Sequence, residues 1–175
     1  MAEKIIRKLG DPVLREKCRP VPGMTPTVLK LLNDLKETLY ADSGRAGLAA
    51  PQIGIAKRVA VLDMGEGLIE LINPEIVEKS GEIASIEGCL SLPKLYGEVK
   101  RAEKVRVKTL NREGQEVFLE AEGRTAVCMQ HEIDHLDGIL YIDYLKDGEL
   151  FNEDTGEAVS VWEAVRMSRS GQAAF

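Results

Sequence analysis

Both histidines of this 175-residue chain, His131 and His135, fall in one five-residue window, His131-Glu132-Ile133-Asp134-His135. That H-E-x-x-H spacing constrains the fold more than any other feature. On an α-helix, residues four apart lie one above the other on one face, so two imidazoles so placed can share one metal ion. Glu132 is one step around the helix. It can approach a water at that ion without being a ligand, which is the general-base position of this motif. Residues 124–136 carry a helical pattern with Val127, Cys128, His131 and His135 near one face, and Asp137-Gly138 supplies the stop.

A catalytic divalent ion usually takes three protein ligands and keeps one position open. Cys128 shares the helix face, but an ion between His131 and His135 sits near the level of residue 133. Cys128 is then about 7.5 Å away along the axis, too far for a thiol, and reads as a lining residue. Cys18 has no motif around it and receives no role. Cys89 lies in Glu87-Gly88-Cys89-Leu90-Ser91-Leu92-Pro93, where the glycine permits close backbone approach and an ordered turn is expected. On these residues alone Cys89 is either functional or a small buried apolar group. In a rival reading, Glu153, Glu157 or Glu163 completes H-E-x-x-H as a zinc peptidase, with Cys89 a bystander. A structural metal site normally has four ligands, and only three good ones are present.

The rest of the chain is ordinary for a globular protein: 44% hydrophobic and 30% charged residues. The length predicts one domain, 1–175, with 147–175 as an acidic loop and a terminal helix. A net charge of −6 argues against stable nucleic-acid binding. No apolar run is long enough for a membrane span, and the N-terminus lacks the apolar core of a signal peptide. Three widely spaced cysteines argue against a disulfide framework and for a cytoplasmic location.

Thr25-Pro26 reads as an N-cap and first helical position, and Val28, Leu31, Leu32, Leu35 and Leu39 continue a helix over 26–41. An irregular, proline-punctuated segment precedes it. Strands are expected at 57–63, 68–77 and 81–85. Val105 and Val107 alternate with Lys104, Arg106 and Lys108, which predicts a strand with one basic, solvated face. Asn111 to Gly114 reads as a turn and 115–122 as the return strand. Ala158, Val161, Trp162 and Val165 predict a final helix. The fold class is α+β: mostly antiparallel strands packed around a central H-E-x-x-H helix, with N-terminal and C-terminal helices.

Three separated motifs carry a resemblance. They are Gly47-Leu48-Ala49-Ala50-Pro51-Gln52, Glu87-Gly88-Cys89-Leu90-Ser91, and Gln130-His131-Glu132-Ile133-Asp134-His135-Leu136-Asp137-Gly138. In this order they resemble the bacterial-type peptide deformylases. The resemblance implies Cys89, His131 and His135 as ligands and Glu132 as the acid/base. It assigns oxyanion stabilisation to the Gln52 side-chain amide and the Leu90 backbone N–H. The implied reaction removes formyl from the N-terminal formyl-methionine of nascent polypeptides and releases formate. The implied cofactor is one divalent ion, natively Fe²⁺, with Zn²⁺, Ni²⁺ or Co²⁺ as replacements, although affinity order alone favours zinc. The peptide is expected to lie extended beside Gly47-Leu48. Val127 and Cys128 would line the methionine pocket, Ala46 would border its entrance, and Arg101 reads equally as a peptide contact or a surface residue. A transient ribosome contact is also implied, though the segment from Trp162 to Phe175 carries only Arg166 and Arg169. One departure stands out. The family usually has Gly-x-Gly with a branched apolar x where this chain has Arg45-Ala46-Gly47. That implies a smaller cleft wall and an added cation nearby.

Overall fold

A computed structural model describes residues 3–171. The N-terminal segment is more deeply embedded than its prolines suggest. It makes one 3-10 turn, Pro12–Arg15, capped by the Asp11 side chain. Leu9, Leu14, Cys18 and Val21 are buried. Helix α1 (Pro26–Tyr40) begins as expected, with the Thr25 hydroxyl accepting from the Val28 N–H. Its apolar stripe packs on strands β1 (Gly47–Ala49), β2 (Val59–Leu62) and β3 (Ile69–Ile72), an antiparallel sheet in that order.

A second antiparallel sheet has the order β4 (Glu75–Ser80), β7 (Lys104–Leu110), β8 (Glu116–Glu122). The expected strand over 68–77 is therefore broken into β3 and β4. Asn73 adopts φ 50° before Pro74, and its side chain bonds both the N–H and the C=O of Val21. Proline removes a ladder donor, so the break falls there. The basic face of β7 is neutralised by its neighbours: Lys104 pairs with Glu122, Arg106 with Glu78 and Glu120, and Lys108 with Glu75.

The third sheet has the order β10 (Ala158–Val159), β9 (Leu150–Asn152), β6 (Leu92–Arg101), β5 (Ile83–Cys89). Strand β5 runs well past the expected end at Ser85, with a bulge between Glu87 and Cys89. The turn expected over 87–93 shrinks to Leu90-Ser91. The acidic segment expected as a loop contributes β9, because β9 pairs with the distant β6, and Ala158, expected in the final helix, lies in β10. Local composition carries no signal for such long-range pairing.

Helix α2 (Gly123–Leu136) touches β1, β2, β7 and β8. Ala126, Met129, Ile133 and Leu136 bury against Ala49, Leu62, Leu71 and Val107. Gly138 at φ 72° ends the helix turn, and a Cβ there would stand 2.5 Å from the Arg15 carbonyl oxygen. Helix α3 (Val161–Ser168) starts on a Ser160 cap and buries Val161, Ala164 and Ser168. Trp162 is 76% exposed, contrary to the expected stripe, because the helix begins at 161 and Ala158 belongs to β10. Phe175 lies outside the described residues. The architecture is α+β, as the sequence implied. Among the described residues no helix is long and apolar enough to cross a membrane.

Candidate active site

Three elements meet at one point. Glu87 and Cys89, on either side of the β5 bulge, both reach α2, and the helical repeat of α2 brings His131 and His135 toward them. The Cys89 Sγ and one nitrogen from each imidazole all lie within 4.8 Å of one another. Sγ stands 3.3 Å from the His135 Nε2. No other such donor cluster exists among the described residues, and it contains none of Glu153, Glu157 or Glu163. One thiol and two imidazoles suit a borderline-soft transition-metal ion, and ligand atoms around a tetrahedral ion stand about 3.3–3.8 Å apart. The cluster needs only a small contraction to hold one. The buried His135 Nδ1 has no hydrogen-bond partner among the described residues. Burial, then the charge of His131, holds the pKa of His135 well below its ordinary value, so the ring stays neutral and one nitrogen keeps a free lone pair.

His131 is oriented from behind. Its Nδ1 lies 2.8 Å from the Glu87 Oε1, which leaves Nε2 for the cluster. Glu87 in turn receives Nε and Nη2 of Arg101 at 2.6 and 2.7 Å. Arg101 also donates to Asp134 at 2.6 Å, and Asp134 accepts from the Tyr144 hydroxyl. The Tyr144 ring sits 4.9 Å from the guanidinium carbon. Burial pushes the Glu87 pKa up, but Arg101 and His131 outweigh it and hold the carboxyl below its ordinary range. The Tyr141 ring stacks with that of His131, with centroids 6.2 Å apart.

Glu132 is 3% exposed, and its Oε1 has no hydrogen-bond partner among the described residues. Burial pushes its pKa up to about 7, a value suited to proton exchange near neutrality. Gln52, on the 3-10 turn Ala50–Ile53, is fully enclosed. Its Oε1 accepts from the Ala49 N–H, which aims Nε2 at the Ser91 hydroxyl (3.1 Å) and the Cys89 Sγ (3.6 Å).

These groups open into a cleft of about 640 Å³, bordered by Ala46, Gly47, Gln52, Ile86, Leu90, Val127, Cys128, His131 and Glu132 among others. A larger groove of about 880 Å³ lies over the paired charges of β4, β7 and β8, away from every donor-cluster residue.

Residues 3–150 match the family model for polypeptide deformylase. The peptide deformylase of Carboxydothermus hydrogenoformans is 56% identical over 143 residues, covering 82% of this chain and 93% of that protein. The crystal structure of the Thermotoga maritima peptide deformylase superposes with a TM-score of 0.80 at 41% identity, covering 83% of this chain and 99% of that one. That from Legionella pneumophila gives 0.82 at 39% identity, with 95% and 94% covered. The chain belongs to the peptide deformylase family.

Leu48 is fully buried in the core that packs on α1, while its neighbours Ala46 and Gly47 border the cleft. Two expectations about cations near the cleft need correction. Arg101 is neither a surface residue nor a peptide contact, since its side chain is 4% exposed and saturated by Glu87 and Asp134. Arg45, which stands where deformylases usually have glycine, does not leave a free cation in the cleft. Its guanidinium bonds Glu3 and the Thr38 carbonyl at the C-terminal end of α1, where the helix dipole favours a cation. Sequence reasoning assigned no role to Glu87, Asp134, Tyr144 or Ser91. Glu87 gave no signal, because 87–93 reads as a turn and a bulge separates Glu87 from Cys89.

The close approach of β1 to α2 makes Gly47 specific. A Cβ there would stand 2.5 Å from the Glu132 Oε2 and 3.0 Å from the Cys128 Sγ. Gly47→Ala must displace the Glu132 carboxylate. Misplacement on the ångström scale costs about 10²-fold in rate. We therefore expect Gly47→Ala to lose about that much deformylase turnover while metal content and melting temperature change little, as measured by formate release, elemental analysis and thermal unfolding.

Proposed function

We propose that this protein is a metal-dependent deformylase that removes the formyl group from N-terminal formyl-methionine of nascent polypeptides and releases formate. One observation carries the reading: the Cys89 thiol meets two helix-borne imidazoles beside a buried carboxylate with a free oxygen. Cys89, His131 and His135 hold a single divalent ion, which supplies Lewis acidity and lowers the pKa of water that it binds.

The chain's own residues do the rest. Strands β1 and β5 are edge strands of their sheets, and Gly47, Gly88 and Leu90 border the cleft between them. An extended peptide fits there as an added strand. Val127, Cys128 and Ala46 receive the methionine side chain. Glu132 takes a proton from the attacking water as oxygen adds to the formyl carbon. The Gln52 Nε2 and the Leu90 N–H donate to the oxyanion, each worth about 3–4 kcal/mol in the transition state. Glu132 then delivers the proton to the departing nitrogen as the C–N bond breaks, leaving formate and a free amine. Glu87 keeps the His131 ring aligned throughout.

The metal is proposed as Fe²⁺ on the family resemblance. Formate release from a formyl-Met peptide, with and without chelator, tests the function, and anaerobic reloading with Fe²⁺, Zn²⁺, Ni²⁺ or Co²⁺ tests the metal. We expect chelation to abolish turnover, Fe²⁺ to restore the most, and Cys89→Ala to bind no metal. Absence of formate from reloaded protein overturns the function. Full recovery with zinc but not iron overturns the metal.

A further inference from the structure

Four cations border the cleft: Lys8, Arg45, Lys94 and Arg124. Three are engaged. Arg45 is held by Glu3 and the Thr38 carbonyl, Lys94 pairs with Asp154 at 2.6 Å, and Lys8 donates to the Leu90 carbonyl. Arg124 is exposed and has no hydrogen bond or ion pair among the described residues. Helix stability does not explain it. Arg124 occupies the first turn of α2, the positive end, where a cation is disfavoured. The cleft carboxylates are committed elsewhere. Glu87 and Glu132 are buried, Asp42 accepts from the Gly44 N–H within its own loop, and Glu153 acts on Lys94.

The spacing along α2 indicates what this cation meets. His131 and Glu132 stand at the reacting end, Val127 and Cys128 line the cleft one turn earlier, and Arg124 borders it one turn earlier still. That last step is about 4.5–6 Å along the helix axis. In an extended peptide the side chain two residues on points to the same side, about 6.6–6.8 Å further. With the methionine side chain at Val127 and Cys128, the side chain of the peptide's third residue comes level with Arg124. The second residue points the other way.

Resting on the deformylase reading above, we infer that Arg124 gives the cleft a charge preference, favouring formyl-Met peptides with Asp or Glu as the third residue over those with Lys or Arg. The pair forms at the cleft rim, so each step of charge is worth a factor of about two to five, and salt screens it.

The test compares kcat/KM for three C-terminally amidated peptides, formyl-Met-Ala-Glu, formyl-Met-Ala-Gln and formyl-Met-Ala-Lys, on the metal-loaded enzyme. The expected order is Glu, then Gln, then Lys, expressed mainly in KM and compressed at high salt. Arg124→Gln should level the three, and Arg124→Lys should keep the order. Equal rates on all three peptides, or an unchanged order in Arg124→Gln, overturn the inference alone. No formate from any of the three overturns the deformylase reading and this inference with it.

Discussion

Replacing Glu132 with Gln should lower turnover of a formyl-Met peptide by about 10²–10⁴-fold while bound metal stays near the wild-type level. The substitution conserves shape, which matters here because a Cβ on Gly47 would stand only 2.5 Å from the Glu132 Oε2, so the carboxylate has little room. Gln can donate and accept hydrogen bonds, but it cannot take up a proton from water and return it to an amine. The three donor atoms of the metal cluster are untouched. A second consequence follows from burial, which pushes the Glu132 pKa up to about 7. A carboxyl whose folded pKa is raised binds its proton more tightly when folded, so stability falls as pH rises from the ordinary carboxylate range through about 7. Metal-free Glu132→Gln should therefore melt higher than metal-free wild type at pH 8, with the gap closing by pH 4. Unchanged turnover would remove Glu132 from the chemistry, and an apo protein destabilised at pH 8 would contradict the account of its burial.

Arg101→Met is expected to produce the largest loss of stability. The guanidinium is almost completely enclosed and bonds both oxygens of Glu87 and one of Asp134. Its removal leaves Glu87 buried, with only His131 beside it. Stripping one partner from a buried ion pair costs about 3–5 kcal/mol. At about 2–4 °C per kcal/mol for a chain of this size, the melting temperature should fall by roughly 6–20 °C. The same change loosens the carboxylate that aligns His131, and loss of such support typically lowers metal affinity about 10–100-fold. Arg101→Lys should recover part of the stability and less of the affinity, because an ammonium cannot grip Glu87 with two parallel hydrogen bonds. Thermal unfolding and chelator competition read the two effects separately. A variant that melts like wild type would mean that the Arg101–Glu87 pair contributes nothing.

Much of this protein is legible in its sequence, for reasons of local physics. Helix α1 announced itself through Thr25, Pro26 and a five-residue apolar stripe, and the observed bounds differ from the expected ones by a single residue. Helix α2 was equally plain, because its periodicity, its glycine stop and its two histidines all agree. Strand ends were less legible. The β3–β4 break depends on Asn73 reaching Val21, and β9 exists only because β6 lies beside it.

Residues 131, 132 and 135 owe their shared helical surface to a spacing of four against a repeat of 3.6, so local spacing alone clusters two imidazoles and a carboxylate. The three separated motifs likewise determined the family. Long-range packing brings the Cys89 sulfur to those imidazoles, swallows Arg101 rather than displaying it, and turns Arg45 to cap α1, while Arg124 has no partner among the described residues. Periodicity is written in neighbouring residues, whereas a charged side chain's environment is set by elements far away in the chain. Arginine on an alternating strand reads the same whether water or a buried glutamate lies opposite, and that choice belongs to the packing of β6 against β5 and α2.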